Sequence, residues 1–464
     1  MSSIWITDNH EFIALDVESN NRYKHDFATA DELEVVKKDI EIIANKTIGT
    51  LREDSPNMLV FPQALGYHGD DIDKGVVVGL SDNKISTNNI MGFIGVNNTQ
   101  IDIKSRFANA DEDDYFLHYM LQKVFSINLF DIKHTTNQEQ IFDFLLYLFP
   151  HFLKKALAQG LFKKYKRFEY NDANIRGPID VNRHIHQNIP FKGTVAYSTR
   201  EHSYDNEITQ LVRHTIEYIR TKEQGSAILN NDMETKTCVS QITMATQTYN
   251  VRDRNKIINQ NLRPVRHPYY SAYTELQKIC LQILRHESLK YGKEKDKIYG
   301  ILFDGAWLWE EYLNTILEKC GFKHPQNKKH SGGFRMFEKE SDDDAISKNS
   351  RRLYPDFWKD DFILDAKYKH LNNGVGREDL YQVVTYMYCR KAKNGAYAYP
   401  FEQKIDMTSY GLNKTYGYGG FIHVIPFYVP QQCKKWEDFV TGIRGGEKTL
   451  QCKVKELEKR NVLV

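Results

Sequence analysis

The chain has 464 residues, enough for two or three domains with cores of their own, and its 41% apolar and 27% charged residues exclude a disordered chain. With 63 basic and 61 acidic residues the net charge is only +2, which excludes a protein that coats nucleic acid through bulk charge but not one with a local basic groove. Six scattered cysteines (Cys238, Cys280, Cys320, Cys389, Cys433, Cys452) form no C-x-x-C pair, and neither a signal peptide nor a membrane-length apolar run is legible, so a cytoplasmic protein with reduced thiols and no membrane contact is expected.

Residues 1–110 read as a β-rich module. GVVVGL, NNIMGFIGV and TQIDIKSRF are short β-branched or alternating runs between Gly, Asn and Asp turn signals. Ile101 and Ile103 share one face of the last, with Asp102 and Lys104 on the other. ADELEVVKKDIEIIANK carries Leu33, Val36, Ile40 and Ile43 at helical spacing. Residues 111–290 read as mainly helical. DYFLHYMLQKVF, the run QEQIFDFLLYLFPHFLKKALAQGLFKKYKRF with a kink or boundary at Pro150, EITQLVRHTIEYIR and TELQKICLQILRH all show three- and four-residue apolar spacing. In FKKYKRFEY, residues 162–170, aromatic and cationic residues alternate along a helix or an extended segment, a pattern that suits DNA phosphates and a solvated surface equally. YGKEKDKIYG separates this block from residues 291–464. There, His324 to Arg352 is a polar loop, with the acidic run SDDDAISKNS inside it.

The chemistry concentrates in YPDFWKDDFILDAKYKH, residues 354–370. FWKDDFILDAKYK reads as a hairpin with a Lys-Asp-Asp turn, and on its second strand Asp365 and Lys367, two residues apart, project from one face. Asp356, at the start of the preceding strand, can lie beside them. Two converging carboxylates suit Mg²⁺, with Mn²⁺ as a substitute, and a neighbouring lysine can orient water and offset charge at a phosphate. An Asp-x-Lys alone is an ordinary solvated ion pair, so the flanks matter. Upstream, FDGAWLWEEYLNTILEKCGF is an amphipathic helix with Trp309, Leu313, Ile316 and Leu317 on one stripe and Glu310 and Glu311 near its start. Downstream, EDLYQVVTYMYCRK is a helix on which Gln382 and Tyr386 share a face, opposite an expected core stripe of Leu380, Val384 and Met387.

Helix glutamate, Pro-Asp, Asp-x-Lys strand and Gln-x-x-x-Tyr helix together resemble the PD-(D/E)xK nuclease superfamily. The order of motifs narrows this to a resemblance with the McrC family, the nuclease subunit of McrBC-type restriction systems. MGFIGVNNTQIDIKSRF, DYFLHYMLQKVF, GLFKKYKRFEYNDANIRGPIDV with Arg176 to Asp180, and EHSYDNEITQLVRHTI fall in the family's order ahead of the nuclease motifs. The resemblance implies an α/β (α+β overall) chain: a C-terminal PD-(D/E)xK nuclease with a central mixed sheet flanked by helices, after a β-rich and helical N-terminal half. It implies Asp356 and Asp365 as metal ligands, Lys367 as catalytic lysine, Glu310 as the helix glutamate (set ahead of Glu311 because an aromatic residue precedes it) and Gln382 as a supporting residue. It further implies a McrB-like AAA+ GTPase hexamer as partner, contacted by the N-terminal half, GTP held by that partner, and modified double-stranded DNA as substrate.

The chain departs from the family in the 324–352 loop and in the tail from about 400, where FIHVIPFYV reads as a further strand of the nuclease sheet. No P-loop is present; GIRGGEKT, residues 442–449, is interrupted by Glu447. Two other readings stand beside this one: a non-catalytic activator of an AAA+ motor, and a nuclease of another defence or repair system acting alone.

Overall fold

The computed structural model describes residues 2–17, 23–55, 58–62, 71–97, 99–108, 114–125, 137–222, 225–230, 232–289, 298–325, 332–337, 352–371, 374–404, 412–416, 419–431 and 433–460. The acidic run at 341–350 and residues 291–297 lie outside them. It is a mixed α/β protein whose contacts group into two compact units, residues 1–127 with 294–464, and residues 128–293. Where the sequence suggested three modules, the first and last share one unit.

The joint is a strand. Ile298–Asp304 pairs antiparallel with Ile90–Val96 on one side and parallel with Met58–Phe61 on the other, so it completes a six-stranded sheet otherwise built from the first 104 residues. Two glycines let the backbones approach. A Cβ on Gly92, whose φ is +119°, would sit 2.1 Å from the Ile301 carbonyl oxygen, and one on Gly300 would sit 2.5 Å from that of Phe93. Gly92→Ala therefore combines a backbone conformation reserved for glycine with a clash against backbone. It is expected to cost about 3 kcal/mol or more, read as a lower urea midpoint. The helix Ala30–Ile43, capped at Thr29 by a reciprocal box with Glu32, buries Val36, Ile40 and Ile43 in the same core as Ile94, Ile101 and Leu302. Ile101 and Ile103 are buried and the alternation of that strand holds.

The same unit carries a five-stranded mixed sheet, in the order Phe357–Lys359, Phe362–Ala366, Asn394–Phe401, Phe421–Tyr428, Leu412–Lys414. The outer pairs are antiparallel and the two inner ones parallel. The expected hairpin is present and turns at Asp360, where φ is +42°. FIHVIPFYV supplies a strand of this sheet, as expected. The helix Arg377–Arg390 packs on it through Val383, Tyr386 and Met387, with Leu380 partly buried against them; of the expected stripe Met387 and Leu380 hold, while Val384 is 43% exposed. Val383 takes the place expected of Val384, and the Tyr386 ring joins the core beside it.

Residues 128–293 form a helical unit. The helices Asn137–Leu157, Glu207–Arg220, Met233–Ala245 and Ala272–Leu289 surround a core that includes Phe149, Phe152, Leu211, Ile242 and Leu276. Pro150 lies inside one helix and marks no boundary. FKKYKRFEY, read as a helix or an extended segment, is extended: Lys164–Asp172 is a strand in a nine-pair antiparallel ribbon with Val195–Ser203. Among the described residues no helix is long and apolar enough to cross a membrane.

Candidate functional site

Phe362–Ala366 is a five-residue strand with every residue buried, flanked by neighbours on both sides. Phe, Ile, Leu and Ala are what such a position demands. Asp365 is the exception, a carboxylate 1% exposed in an apolar strand. A charge so placed is costly unless it is paired or neutralised, and that cost marks the site.

Two groups meet Asp365. Lys367 Nζ lies 2.7 Å from Asp365 Oδ2, so the two side chains do share a face. Asp365 Oδ2 is buried, and the Lys367 ammonium is the cation that offsets its charge. Asp356, just before the first strand of the hairpin, accepts the Ala366 N–H on Oδ2 at 2.7 Å, which anchors it at the end of the Asp365 strand. Burial raises the pKa of both carboxyls, and at Asp365 the neighbouring Asp356 charge adds to it. The lysine behaves differently. Burial alone would lower its pKa, but Asp365 and Asp356 more than offset this and hold it raised and charged.

An outer ring fixes these groups. Asp379, in the first turn of the helix Arg377–Arg390 where an acid suits the helix dipole, lies 3.1 Å from Lys367 Nζ and 2.6 Å from Lys369 Nζ. Its burial is outweighed by these two lysines, which hold its carboxyl below the usual range. Gln382 donates to Tyr386 Oη at 2.9 Å, and Tyr386 reaches toward the Tyr354 carbonyl at 3.5 Å, beside Pro355 and Asp356. Gln382 is itself exposed. His324 Nδ1 lies 2.7 Å from the Asp356 carbonyl oxygen, and its Nε2 lies 3.8 Å from Glu311. Burial opposes charge on His324, but Glu311 and the Asp356 carbonyl prevail and raise its pKa.

The structure thus brings Asp356, Asp365 and Lys367 together, with Gln382 reaching them through Tyr386. Glu310 is half-buried on the helix Gly305–Leu317. The neighbouring Glu311 is linked to Asp356 by way of His324. That helix starts at Asp304, which caps the Ala306 and Trp307 N–H groups, and it is docked by Trp309, whose indole N–H reaches the Ala398 carbonyl at 3.4 Å. Sequence reasoning missed Asp379 and His324. An acid in a helix's first turn after Lys-x-Lys was a usable signal for Asp379; His324 stood inside an otherwise unreadable polar stretch.

The donor set can be tested against a metal. Among the described residues no three His, Cys, Asp or Glu side chains converge. Asp356 and Asp365 offer two hard carboxylate donors side by side, both buried. That fits Mg²⁺, which takes one or two carboxylates and keeps several waters, and it does not fit zinc.

Similar solved structures include a half-complex from a tetradecameric assembly of Thermococcus gammatolerans McrB AAA+ hexamers with bound McrC, at 14% identity over 96% of this chain and 99% of that one, TM-score 0.44. Another is the cryo-EM structure of the Thermococcus gammatolerans McrBC complex, at 13% identity over 70% of this chain and 89% of that one, TM-score 0.33. No curated protein matches the chain. The model of the McrBC family, described as McrBC 5-methylcytosine restriction system component, matches residues 85–400, more than half of the chain. The chain belongs to the McrBC family.

Proposed function

We propose that this chain is the DNA-cleaving subunit of a McrBC-type restriction complex, a Mg²⁺-dependent endonuclease of PD-(D/E)xK type that works with a McrB-like AAA+ GTPase hexamer on modified double-stranded DNA. One observation carries the reading: in a chain of this restriction family, the one buried carboxylate of an apolar strand faces a second aspartate and a charged lysine. The partner carries the GTP. In this chain GIRGGEKT lies within the helix Trp436–Arg460, not in a strand-to-helix turn that cradles phosphates.

Asp356 and Asp365 would hold the metal, which when bound supplies Lewis-acid stabilisation of phosphate charge and acidifies water. Lys367, kept protonated between Asp365 and Asp379, places a fixed positive charge where the scissile phosphate gains negative charge. Asp379 and the Ala366 N–H hold Lys367 and Asp356 in place, so little reorganisation remains for the reaction.

The test is cleavage of methylated and unmethylated plasmid by the chain with an McrB-like partner, GTP and Mg²⁺. Lys367→Ala is expected to slow cleavage by about 10²-fold or more while leaving stimulation of the partner's GTP hydrolysis intact. Equal cleavage by the two proteins would make the Asp-x-Lys strand structural, and the chain an activator of the motor. Cleavage by the chain alone would make it a self-sufficient nuclease.

A further inference from the structure

The ribbon Lys164–Asp172 with Val195–Ser203 has two faces, because alternate residues of a strand point to opposite sides. On one of them Tyr165 lies opposite His202 and Arg167 opposite Arg200. The Tyr165 and His202 rings lie against each other with centroids 3.9 Å apart and a tilt of 30°, and the Arg200 guanidinium sits 5.2 Å from the Tyr165 centroid. All four residues are exposed, Tyr165 by 55%.

Two like charges directly opposite one another weaken a ribbon, so this arrangement calls for an anion. The acids nearby supply only part of it. Asp180 accepts from Arg167 on Oδ2 at a long 3.5 Å, while its Oδ1 caps the helix Val181–Asn188 by accepting the Arg183 N–H, so one carboxylate serves only one of the two arginines. Glu169, the next acid on this face, pairs with Arg183. The opposite face needs nothing further: Lys164 pairs with Glu207, and Glu201 stands across from Lys166.

We infer that this face binds the phosphodiester backbone of nucleic acid, with Arg167 and Arg200 straddling phosphate and the Tyr165–His202 pair as the surface for sugar and base. A guanidinium pair recognises phosphate oxygens through fixed forks, and an aromatic beside it accepts any base, so the site is sequence-independent. This inference goes beyond the cleavage reading and stands without it.

The experiment is fluorescence anisotropy of the full chain with a labelled duplex and, separately, the same label on a single strand, from low to physiological salt. Arg167→Gln with Arg200→Gln is expected to weaken binding about tenfold and to reduce the slope of log affinity against log salt by about 2. Tyr165→Ala is expected to weaken the single strand more than the duplex. Lys367→Ala serves as the comparison, so that loss of cleavage and loss of ribbon binding are read separately. The double variant should melt no lower than wild type, since a cross-strand repulsion has been removed. Unchanged affinity and salt slope would overturn the inference, as would equal binding of a polyglutamate peptide to the same face.

Discussion

Replacing Asp365 by asparagine is expected to lower DNA cleavage by about 10³-fold and, with metal chelated, to leave a chain that is more heat-stable than wild type at pH 8. Asn keeps the volume, so the apolar strand still packs. Lys367 keeps a partner, because Asp379 lies 3.1 Å from its Nζ. What disappears is a carboxylate whose pKa burial and the adjacent Asp356 have raised. The sign follows from linkage. A raised pKa means that the folded chain binds this proton more tightly than the unfolded chain. The associated stability is complete below the unfolded value of about 4 and is lost as pH rises through the folded value. Wild type in EDTA should therefore lose more stability from pH 5 to 8 than Asp365→Asn does. Asp102 and Asp114, each pushed up to about 6 by burial, and His214, pushed down to about 4 by burial, titrate in both proteins and cancel in the difference. Metal supplies the second arm. Mg²⁺ should raise the melting temperature of wild type, since a ligand that binds only the folded state stabilises it, and should leave the variant unmoved. Thermal melts at pH 5 and 8, with EDTA and with Mg²⁺, check both. A variant that melts lower than wild type at pH 8 in EDTA would mean that Asp365 is a structural ion-pair partner of Lys367.

The hairpin around the site was legible because its signals are local. Asp-Asp between two short apolar runs marks a turn, and period two puts Asp365 and Lys367 on one side. The neighbours of the hairpin were harder. NGAYAYPF, the central strand of the sheet, carries small residues and a proline that disguise it: Gly395 lies under Met387 and Val383, where a Cβ would come within 2.6 and 2.8 Å. Ile298–Asp304 could not be assigned from sequence to a sheet begun two hundred residues earlier, since strand pairing at that separation leaves no local pattern. The 25-residue helix Trp436–Arg460 was hidden by GIRGG, which reads as a loop. Packing overrides propensity there. Cβ atoms on Gly442 and Gly446 would approach Pro430 Cγ at 2.6 Å and the Tyr428 carbonyl oxygen at 2.8 Å, so the glycines let this helix lie against the strand Phe421–Tyr428. The pairing of Glu311 with His324 depends on a contact across the fold and had no sequence signal at all.

The same helix carries the largest stability effect expected outside the site. Glu447, only 14% exposed, accepts hydrogen bonds from Tyr119 Oη at 2.9 Å and Tyr312 Oη at 3.0 Å, and it lies 3.1 Å from Lys123 Nζ. Three helices meet at one carboxylate: Tyr115–Phe125, Gly305–Leu317 and Trp436–Arg460. Both tyrosines are buried, and burial followed by the Glu447 charge raises their pKa values, so they remain donors throughout the working range. Glu447→Ala strands two buried hydroxyls and leaves Lys123 unpaired, which is expected to cost about 2–4 kcal/mol. Glu447→Gln keeps a carbonyl oxygen for the hydroxyls and loses only the ion pair with Lys123, itself 29% exposed, so about 1 kcal/mol is expected. Urea denaturation followed at the tyrosines and tryptophans should order the midpoints wild type, Gln, Ala. Removing the two hydroxyl donors while leaving the rings in place, by Tyr119→Phe with Tyr312→Phe, strands the carboxylate instead and should also destabilise. Placing Glu447→Ala in that Phe background should then cost much less than it does alone, because the hydroxyls it would have stranded are gone. An additive triple variant would show that Glu447 acts through Lys123 alone, and that the helix is held by its apolar face, Phe439, Ile443, Leu450, Val454 and Leu457.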